Sequence, residues 1–382
     1  MRREINYRFF FTCLLISAVG FYVISYAKLI IAEINEYDLA ISERYELYTP
    51  TRPKAIIAKG LYLTASSAAS ERKRREIIEL IKRTELNAVV IDIKDYSGYI
   101  LYDSKLREVD EFAADKDVLK NLRSILREFK QEGIYTIARQ TVFQDPVLAQ
   151  AKPDWAIRTA DGSLWRDYKG LSWVDPTKKE VWNYNLAIAK EAIRYGFSEI
   201  NFDYIRFPSD GNIRTAVYAD LKEDKTTTMK AFYTYLHREL RSEPVYTSFD
   251  LFGLVLEAHS FDLNIGQRLD TIVNRVDYIY PMTYPSHYPP GHLSYSNPAD
   301  FPYEVVSNGL NKASAILRGS STRLRPWIQA FDLGAVYDGT KIRAQIRATE
   351  ESSLTDGWML WNASNRYTDA GLMSDDAIAA KK

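Results

Sequence analysis

The 382-residue sequence contains one cysteine, Cys13, and has no net charge, because 50 basic residues balance 50 acidic ones. Cys13 lies in an apolar stretch near the N-terminus, so the rest of the chain can form no internal disulfide and no thiolate metal site. Cysteine nucleophile chemistry is thereby excluded. The charge balance argues against a nucleic-acid partner, whose binding would rest on a basic excess facing phosphates.

Several catalytic motifs are absent as well. The four histidines form no His-Glu-x-x-His pair, and the sequence predicts neither a metal nor any other cofactor. The Gly-x-Ser-x-Gly turn of a Ser-His-Asp hydrolase is missing. Thr64-Ala65-Ser66 follows the first predicted strand, where a nucleotide-binding open sheet would have a glycine-rich phosphate loop. Metal-dependent, serine-hydrolase and nucleotide chemistries therefore have no specific signal.

An uncharged apolar stretch covers residues 9–27 and follows three arginines. A run of this length spans the hydrocarbon core as a helix, and the preceding basic residues favour an N-terminus inside the cell. We therefore expect residues 1–32 to anchor the protein in a membrane. A cleaved signal peptide is the alternative, because Ser25 and Ala27 are small residues at a plausible cleavage point. The protein would then be secreted, and both interpretations place the rest of the chain outside the cytoplasm.

After a polar linker at residues 33–54, short apolar runs alternate with helical patterns as far as residue 382. This alternation is typical of βα units that form a parallel sheet. We predict eight strands, at 57–64, 88–94, 134–141, 199–205, 245–250, 277–282, 325–330 and 357–361. The segments after the strands are longer and richer in Asp, Tyr, Trp and Pro than those before them. The sequence therefore predicts one α/β domain, a (β/α)8 TIM barrel with its site in those loops, and a doubly wound open sheet is the alternative.

Polar residues interrupt the predicted strands near their C-terminal ends. They include Asp92, Asn201, Asp203, Asp250 and Gln329, and the last strand ends at Trp361-Asn362. A lone buried carboxylate is costly unless it is paired or functional, so these residues predict a polar pocket on one rim. The alternative is a salt-bridged layer inside the barrel, for example between Asp92 and Arg139.

Two of these carboxylates suit glycoside hydrolysis, which needs one carboxyl group on each side of the scissile bond. Asp203 and Asp250 end adjacent strands. We assign Asp203 the nucleophilic or electrostatic role, because Arg206 and Asn201 would keep it ionised. Asp250 lies beside two phenylalanines, and an apolar setting raises the pKa of a carboxyl group, so Asp250 is the candidate acid.

Aromatic residues make up 13% of the sequence, and flat rings suit contact with sugars. Residues 155–173 are too polar and aromatic for a plain crossover. They predict either a rim that stacks sugar rings or a loop packed over the barrel mouth. Our candidates for substrate contact are Asp92, Arg139, Asn201, Arg206, Tyr284, Trp327, Gln329, Trp361 and Asn362.

Several long motifs resemble those of a family of bacterial and archaeal glycosyl hydrolase-like domains of unknown function. They are Lys-Gly-Leu-Tyr-Leu-Thr at 59–64, Asn-Ala-Val-Val-Ile-Asp-Ile-Lys-Asp at 87–95, Phe-Asp-Tyr-Ile-Arg-Phe-Pro-Ser-Asp at 202–210, Pro-Met-Thr-Tyr-Pro-Ser-His-Tyr at 281–288 and Trp-Asn-Ala-Ser-Asn-Arg-Tyr at 361–367. The resemblance covers nearly all of the chain after the linker. It implies a (β/α)8 fold related to glycoside hydrolases, often exported or membrane-tethered, and it supports Asp203 through its place in Phe-Asp-Tyr-x-Arg-Phe-Pro.

The expected function is hydrolysis, or else transglycosylation, of a cell-envelope or extracellular polysaccharide. A carbohydrate-binding or scaffold barrel without turnover is the competing class, and it would need the aromatic rim but not both carboxylates. Deacetylation of a polysaccharide would need a His/Asp metal cluster, which the sequence does not contain.

Overall fold

The computed structural model describes residues 51–221 and 224–374. The predicted anchor at 1–32 and most of the linker at 33–54 lie outside these residues. None of the helices in the described part is long and apolar enough to cross a membrane.

Nine parallel strands form one closed sheet in the order β5-β4-β3-β2-β1-β9-β8-β6-β7, closed by the pairing of β5 with β6. They are β1 Ala58–Leu63, β2 Ala88–Lys94, β3 Tyr135–Thr141, β4 Glu199–Asp203, β5 Tyr246–Phe252, β6 Tyr278–Met282, β7 Arg323–Leu324, β8 Trp327–Gln329 and β9 Gly357–Trp361. The short strands β7 and β8 together occupy the seventh position of the barrel. The predicted TIM barrel is confirmed, and the open-sheet alternative is wrong.

The seventh position is divided at Arg325-Pro326. β7 pairs with the lower part of β6, whereas Trp327 of β8 pairs with Met282 at the top of β6 and with Met359 of β9. Proline has no N–H to donate to a neighbouring strand, which explains the interruption within the strand predicted at 325–330.

Helices of the crossover segments surround the barrel. They are α1 Ala65–Ala69, α2 Glu71–Lys82, α3 Arg107–Glu111, α4 Leu122–Gln131, α5 Pro146–Ala151, α6 Lys179–Tyr195, α7 Lys225–Leu240, α8 Leu269–Ile272, α9 Pro302–Leu317 and α10 Gly339–Glu350. Apolar residues three or four apart give each long helix one buried face. In α4 this face consists of Leu122, Ile125, Leu126 and Phe129, which pack in the main core between helices and strands.

The lower part of the barrel interior holds an ion pair. Glu199 of β4 and Arg325 are both fully buried, and the Arg325 Nη1 donates to Glu199 Oε2 at 2.6 Å. The hydroxyl groups of Tyr280 and Tyr135 also donate to the Glu199 carboxylate, at 2.6 and 3.1 Å. A charged group in this layer therefore has a partner of opposite charge and further hydrogen bonds, as burial requires.

The first and last strands of the chain's barrel, β1 and β9, are paired with each other. β1 pairs with β2 on one side and with β9 on the other, where Ala58 lies opposite Gly357. Gly357 has φ +111°, and a Cβ at this position would lie 1.9 Å from the carbonyl oxygen of Ala58. Only glycine fits where these two strands meet.

A bulge in β2 separates two residues that regular alternation places on one face. The register of β2 against β3 shifts between Asp92 and Lys94. Asp92 faces the barrel interior, whereas Lys94 points toward the helices, where its Nζ lies 2.7 Å from Asp145 and 3.3 Å from the Asn185 Oδ1 of α6. The extra residue reverses the alternation, so Asp92 and Lys94 lie on opposite faces of the strand.

Candidate active site

Four consecutive strands bring three carboxylates around one guanidinium at the C-terminal mouth of the barrel. Arg139 of β3 donates through Nη1 to Asp92 Oδ1 at 2.6 Å and through Nη2 to Asp203 Oδ2. Its Nε faces Asp250 Oδ2 of β5 at 3.6 Å. The cluster therefore holds three carboxylates and one guanidinium, all largely withdrawn from water.

Asp203 ends β4 and is fixed at both oxygens. Besides the contact with Arg139, its Oδ1 accepts a 2.6 Å hydrogen bond from the backbone N–H of Tyr204. Tyr204 has φ +52°, a left-handed conformation that side chains other than glycine seldom adopt. Such backbone strain concentrates at functional sites, where the surrounding structure enforces it. The partners of Asp203 differ from those expected, since Arg139 takes the place assigned to Arg206 and Asn201.

Arg206 instead occupies the wall of the mouth. Its Nη1 donates to the Phe207 carbonyl and the Ser209 hydroxyl, both at 3.1 Å. Its guanidinium also lies 4.6 Å from the ring centre of Phe252 and 5.1 Å from that of Trp173. Burial lowers the pKa of Arg206 from its ordinary value. The side chain is thus held by neutral oxygens and aromatic faces.

Asp250 is the more deeply buried of the two proposed catalytic carboxyl groups. Its Oδ1 accepts hydrogen bonds from Asn201 Nδ2 and from Trp327 Nε1, each at 2.9 Å. Burial raises the pKa of Asp250 well above its ordinary value, and the negative charge of Asp203 raises it further, against the opposing effect of Arg139. Asp250 therefore has the property that a proton donor at this position needs.

The cluster opens into a small cavity of about 130 Å³. It is lined by Arg139, Asp203, Tyr204, Arg206, Asp250, Phe252, Met282, Tyr284, Trp327 and Trp361. Seven of the eleven residues proposed from the sequence thus line one space. The cavity is smaller than the roughly 300–1,000 Å³ of typical small-molecule pockets. A cavity of this volume holds only a short part of any long ligand. Within residues 51–221 and 224–374, no group of three or more histidine, cysteine or acidic side chains could hold a metal ion.

Aromatic rings form the side of the mouth opposite Arg206. Trp361 at the end of β9 stacks on Tyr62 of β1, with ring centres 4.1 Å apart, and its ring centre lies 6.4 Å from that of Tyr284. The hydroxyl of Tyr62 donates to Asp92 at 2.5 Å. Burial raises the pKa of Tyr284 far above its ordinary value, and the charges of Asp250 and Asp203 contribute to this shift.

Tyr62 and Tyr204 were not among the residues proposed from the sequence. The sequence contains a weak indication of Tyr62 and none of Tyr204. Tyr62 is a large polar aromatic in the first predicted strand, two residues before its end, so its position gave a weak indication. Tyr204 lines the cavity with its backbone in a left-handed conformation. That conformation has no signature in the sequence.

Four sequence-proposed contacts lie outside the cavity lining. Asp92 lies behind Arg139, and Asn201 lies behind Asp250. Gln329 donates to the carbonyls of the loop after β8 and accepts from the Ser286 N–H, which ties two mouth loops together. Asn362 likewise donates to backbone carbonyls within the last loops of the barrel.

The segment at 155–173 packs over the barrel mouth through its tryptophans and exposes a tyrosine at its tip. Trp165 and Trp173 are fully buried, and the Trp165 Nε1 donates to the Asn212 carbonyl at 3.0 Å. The tryptophans therefore pack the segment against the loop after β4. Tyr168, at the tip of the same segment, is 81% exposed.

Fold and site together define a TIM barrel of the glycosyl hydrolase-like class, with an acidic cavity at the C-terminal ends of its strands. The chain belongs to the family described as "Putative glycosyl hydrolase domain", whose model matches residues 60–367. The resemblance inferred from the motifs is thereby confirmed.

Among solved structures, a hypothetical protein from Ruminiclostridium thermocellum is 37% identical over 49% of this chain and 96% of its own, with a TM-score of 0.46. The glycoside hydrolase domain of PgaB (BpsB) from Bordetella bronchiseptica has a TM-score of 0.57 at 13% identity, covering 85% of this chain and 98% of that one. TtGalA, an α-galactosidase from Thermus thermophilus solved in complex with stachyose, has a TM-score of 0.52 at 10% identity, covering 84% and 65%. The last two show the same fold. No curated protein sequence matches the chain.

Proposed function

We propose that this domain hydrolyses glycosidic bonds of a cell-envelope or extracellular polysaccharide, with Asp203 and Asp250 as its catalytic carboxyl groups. The observation that carries the proposal is their placement. They lie near the C-terminal ends of adjacent strands, line the same cavity and face the same guanidinium. Two carboxyl groups that flank one bond are what glycoside hydrolysis requires.

Asp250 is the proton donor in this proposal. Its raised pKa keeps a proton available, and that proton passes to the glycosidic oxygen as the bond from the anomeric carbon to this oxygen breaks. Asp203 faces the positive charge that develops at the anomeric carbon, as nucleophile or as electrostatic stabiliser. A water molecule then adds its hydroxyl group to the anomeric carbon and returns its proton to the deprotonated Asp250, which completes the hydrolysis. Arg139 and the Tyr204 N–H hold the Asp203 carboxylate in a fixed orientation, which lowers the cost of reaching the transition state.

The polysaccharide substrate is supported by the dimensions of the mouth and by the related folds. A cavity of about 130 Å³ leaves most of a long glycan outside, along the mouth loops. The neighbours with the same fold include a glycoside hydrolase domain and an α-galactosidase. Export from the cytoplasm, which the apolar stretch at 9–27 predicts, would bring the domain to envelope or extracellular glycans.

A carbohydrate-binding barrel without turnover is the second candidate, and one observation favours it. Each carboxylate of the cluster contacts Arg139, which is the arrangement of a purely structural ion layer. Such a layer would stabilise the barrel mouth without any proton transfer.

Release of reducing ends from envelope and extracellular glycans tests the two candidates. We expect Asp203→Asn and Asp250→Asn to lower kcat by roughly a hundredfold or more, since each removes a group that acts in the transition state. Asp332→Asn is the matched control, because this mouth-loop carboxylate accepts from the Tyr337 N–H and does not line the cavity. Glycan binding with no reducing-end release by any of the four proteins would favour the binding barrel.

A further inference from the structure

Exposed large apolar side chains are concentrated at the catalytic end of the barrel. Among the described residues, all but Ile57 of the strongly exposed ones lie in loops that follow the C-terminal ends of strands. They are Tyr96, Tyr168, Val217, Phe261, Leu293, Phe301, Leu333 and Val336. Single exposed apolar residues are ordinary, but their restriction to the loops around one opening marks that end as a contact surface.

Tyr168 is the most exposed of these residues, and it stands on a well-fixed turn. A backbone hydrogen bond from the Gly170 N–H to the Asp167 carbonyl closes the turn at 3.0 Å. The buried carboxylate of Asp167 accepts from the N–H groups of Lys169 and Leu171, both at 2.9 Å, and from Trp173 Nε1 at 3.1 Å. Three hydrogen bonds to one buried carboxylate thus fix the backbone of the turn, which carries a tyrosine that is 81% exposed.

The turn is connected directly to the wall of the cavity. Trp173, which bonds to Asp167, packs edge-on against Tyr204 with ring centres 5.8 Å apart, and it lies 5.1 Å from the Arg206 guanidinium. Tyr204 and Arg206 line the cavity. The base of the turn therefore packs against two residues of the cavity wall, and its tip carries the exposed ring.

We propose that Tyr168 is a binding platform for a sugar ring of a polymeric substrate, outside the cavity in which Asp203 and Asp250 lie. A tyrosine ring offers a flat apolar face for the C–H side of a sugar, while its hydroxyl stays in water. Because the turn is fixed by Asp167, little conformational freedom is lost on binding. The inference rests on the proposed function for the identity of the substrate as a glycan, and it adds that this glycan extends beyond the cavity.

Binding is measured without turnover by affinity electrophoresis of the full-length protein in non-ionic detergent, carrying Asp203→Asn. The gels contain glycol chitin, hydroxyethyl cellulose or galactomannan. We expect at least one polymer to retard this parent protein. Adding Tyr168→Ala should raise the dissociation constant by about three- to tenfold, and Tyr168→Trp should retain binding because it keeps an aromatic face.

Lys169→Ala is the matched control. It removes an exposed side chain from the same turn but keeps the backbone hydrogen bond to Asp167, so binding should equal that of the parent. Retardation of Tyr168→Ala equal to that of the parent, or no retardation of the parent by any of the three polymers, would overturn the platform. Failure of the proposed hydrolysis would appear instead as reducing-end release that Asp203→Asn leaves unchanged, and the gels do not measure that release.

Discussion

Asp203 and Asp250 lie near the C-terminal ends of neighbouring strands and face the same guanidinium, yet their surroundings differ. Asp203 accepts from Arg139 and from a strained backbone N–H, whereas Asp250 accepts from neutral amide and indole groups and has only a longer contact with Arg139. Burial and the charge of Asp203 raise the pKa of Asp250. In the proposed mechanism, this difference in environment is the reason that Asp250 is assigned the role of acid.

The pH dependence of hydrolysis follows from this difference. We expect kcat/KM to fall as the pH rises through the raised pKa of Asp250, because the deprotonated carboxylate has no proton to donate. A profile measured between about pH 4 and pH 9 with a soluble glycan would show this limb. The residual activity of Asp250→Asn should lack it, so an alkaline limb that persists in the variant would contradict the assignment of the acid.

Asp250 should also lower the stability of the fold at neutral pH. Its pKa is raised in the folded state, so the folded protein binds this proton more tightly than the unfolded chain does. The contribution of protonated Asp250 to the free energy of unfolding is fully present below the unfolded pKa of about 4. This contribution is lost as the pH rises through the pKa of the folded state. We therefore expect Asp250→Asn to unfold at a higher temperature than wild type near neutral pH, with the difference vanishing toward pH 4. Unfolding midpoints from circular dichroism across this range would test the sign.

Arg139 should be essential for the stability of the mouth. Arg139→Met leaves Asp92, Asp203 and Asp250 buried without a cation, and breaking a buried ion pair costs about 3–5 kcal/mol of the free energy of unfolding. Burial already raises the pKa values of Asp92 and Asp250, and loss of the guanidinium raises them further, so the loss of stability should shrink as the pH falls to about 5. Urea unfolding at neutral pH and at about pH 5 measures this recovery of stability.

Arg206→Met is the control for that experiment. No ion pair of Arg206 is found within residues 51–221 and 224–374, and its guanidinium bonds to neutral oxygens. Its removal leaves no buried carboxylate without a cation, so any loss of stability should be nearly independent of pH. A pH-independent loss in Arg139→Met as well would show that the cluster is not held by charge.

The sequence predicted the barrel well because most strands are short, largely apolar segments followed by long polar loops. β2 and β9 begin and end at the predicted residues. The departures come from single-residue events that periodicity does not reveal. The bulge after Asp92 turns Lys94 toward the helices, and Pro326 divides the seventh position into β7 and β8.

The candidate site was predictable as a set of residue types but not as a set of contacts. Asp203, Asp250 and Arg139 were all proposed, because charged residues in otherwise apolar strands are conspicuous. The pair of Asp92 with Arg139, named as the alternative, is present, but the partner assigned to Asp203 was wrong, since Arg206 is near Asp203 in sequence whereas Arg139 is near it in space. The left-handed backbone of Tyr204 carries Arg206 to the cavity wall, and no composition or spacing indicates that turn.

The pairing of β1 with β9 has a consequence for synthesis of the protein. Strand β1 at Ala58–Leu63 remains unpaired along one edge until Gly357–Trp361 has left the ribosome. An open parallel edge invites pairing with other chains, so the nascent domain is exposed to aggregation until its last strand is made. The same late strand brings Trp361 to the cavity, so the fold and its proposed catalytic centre are completed together.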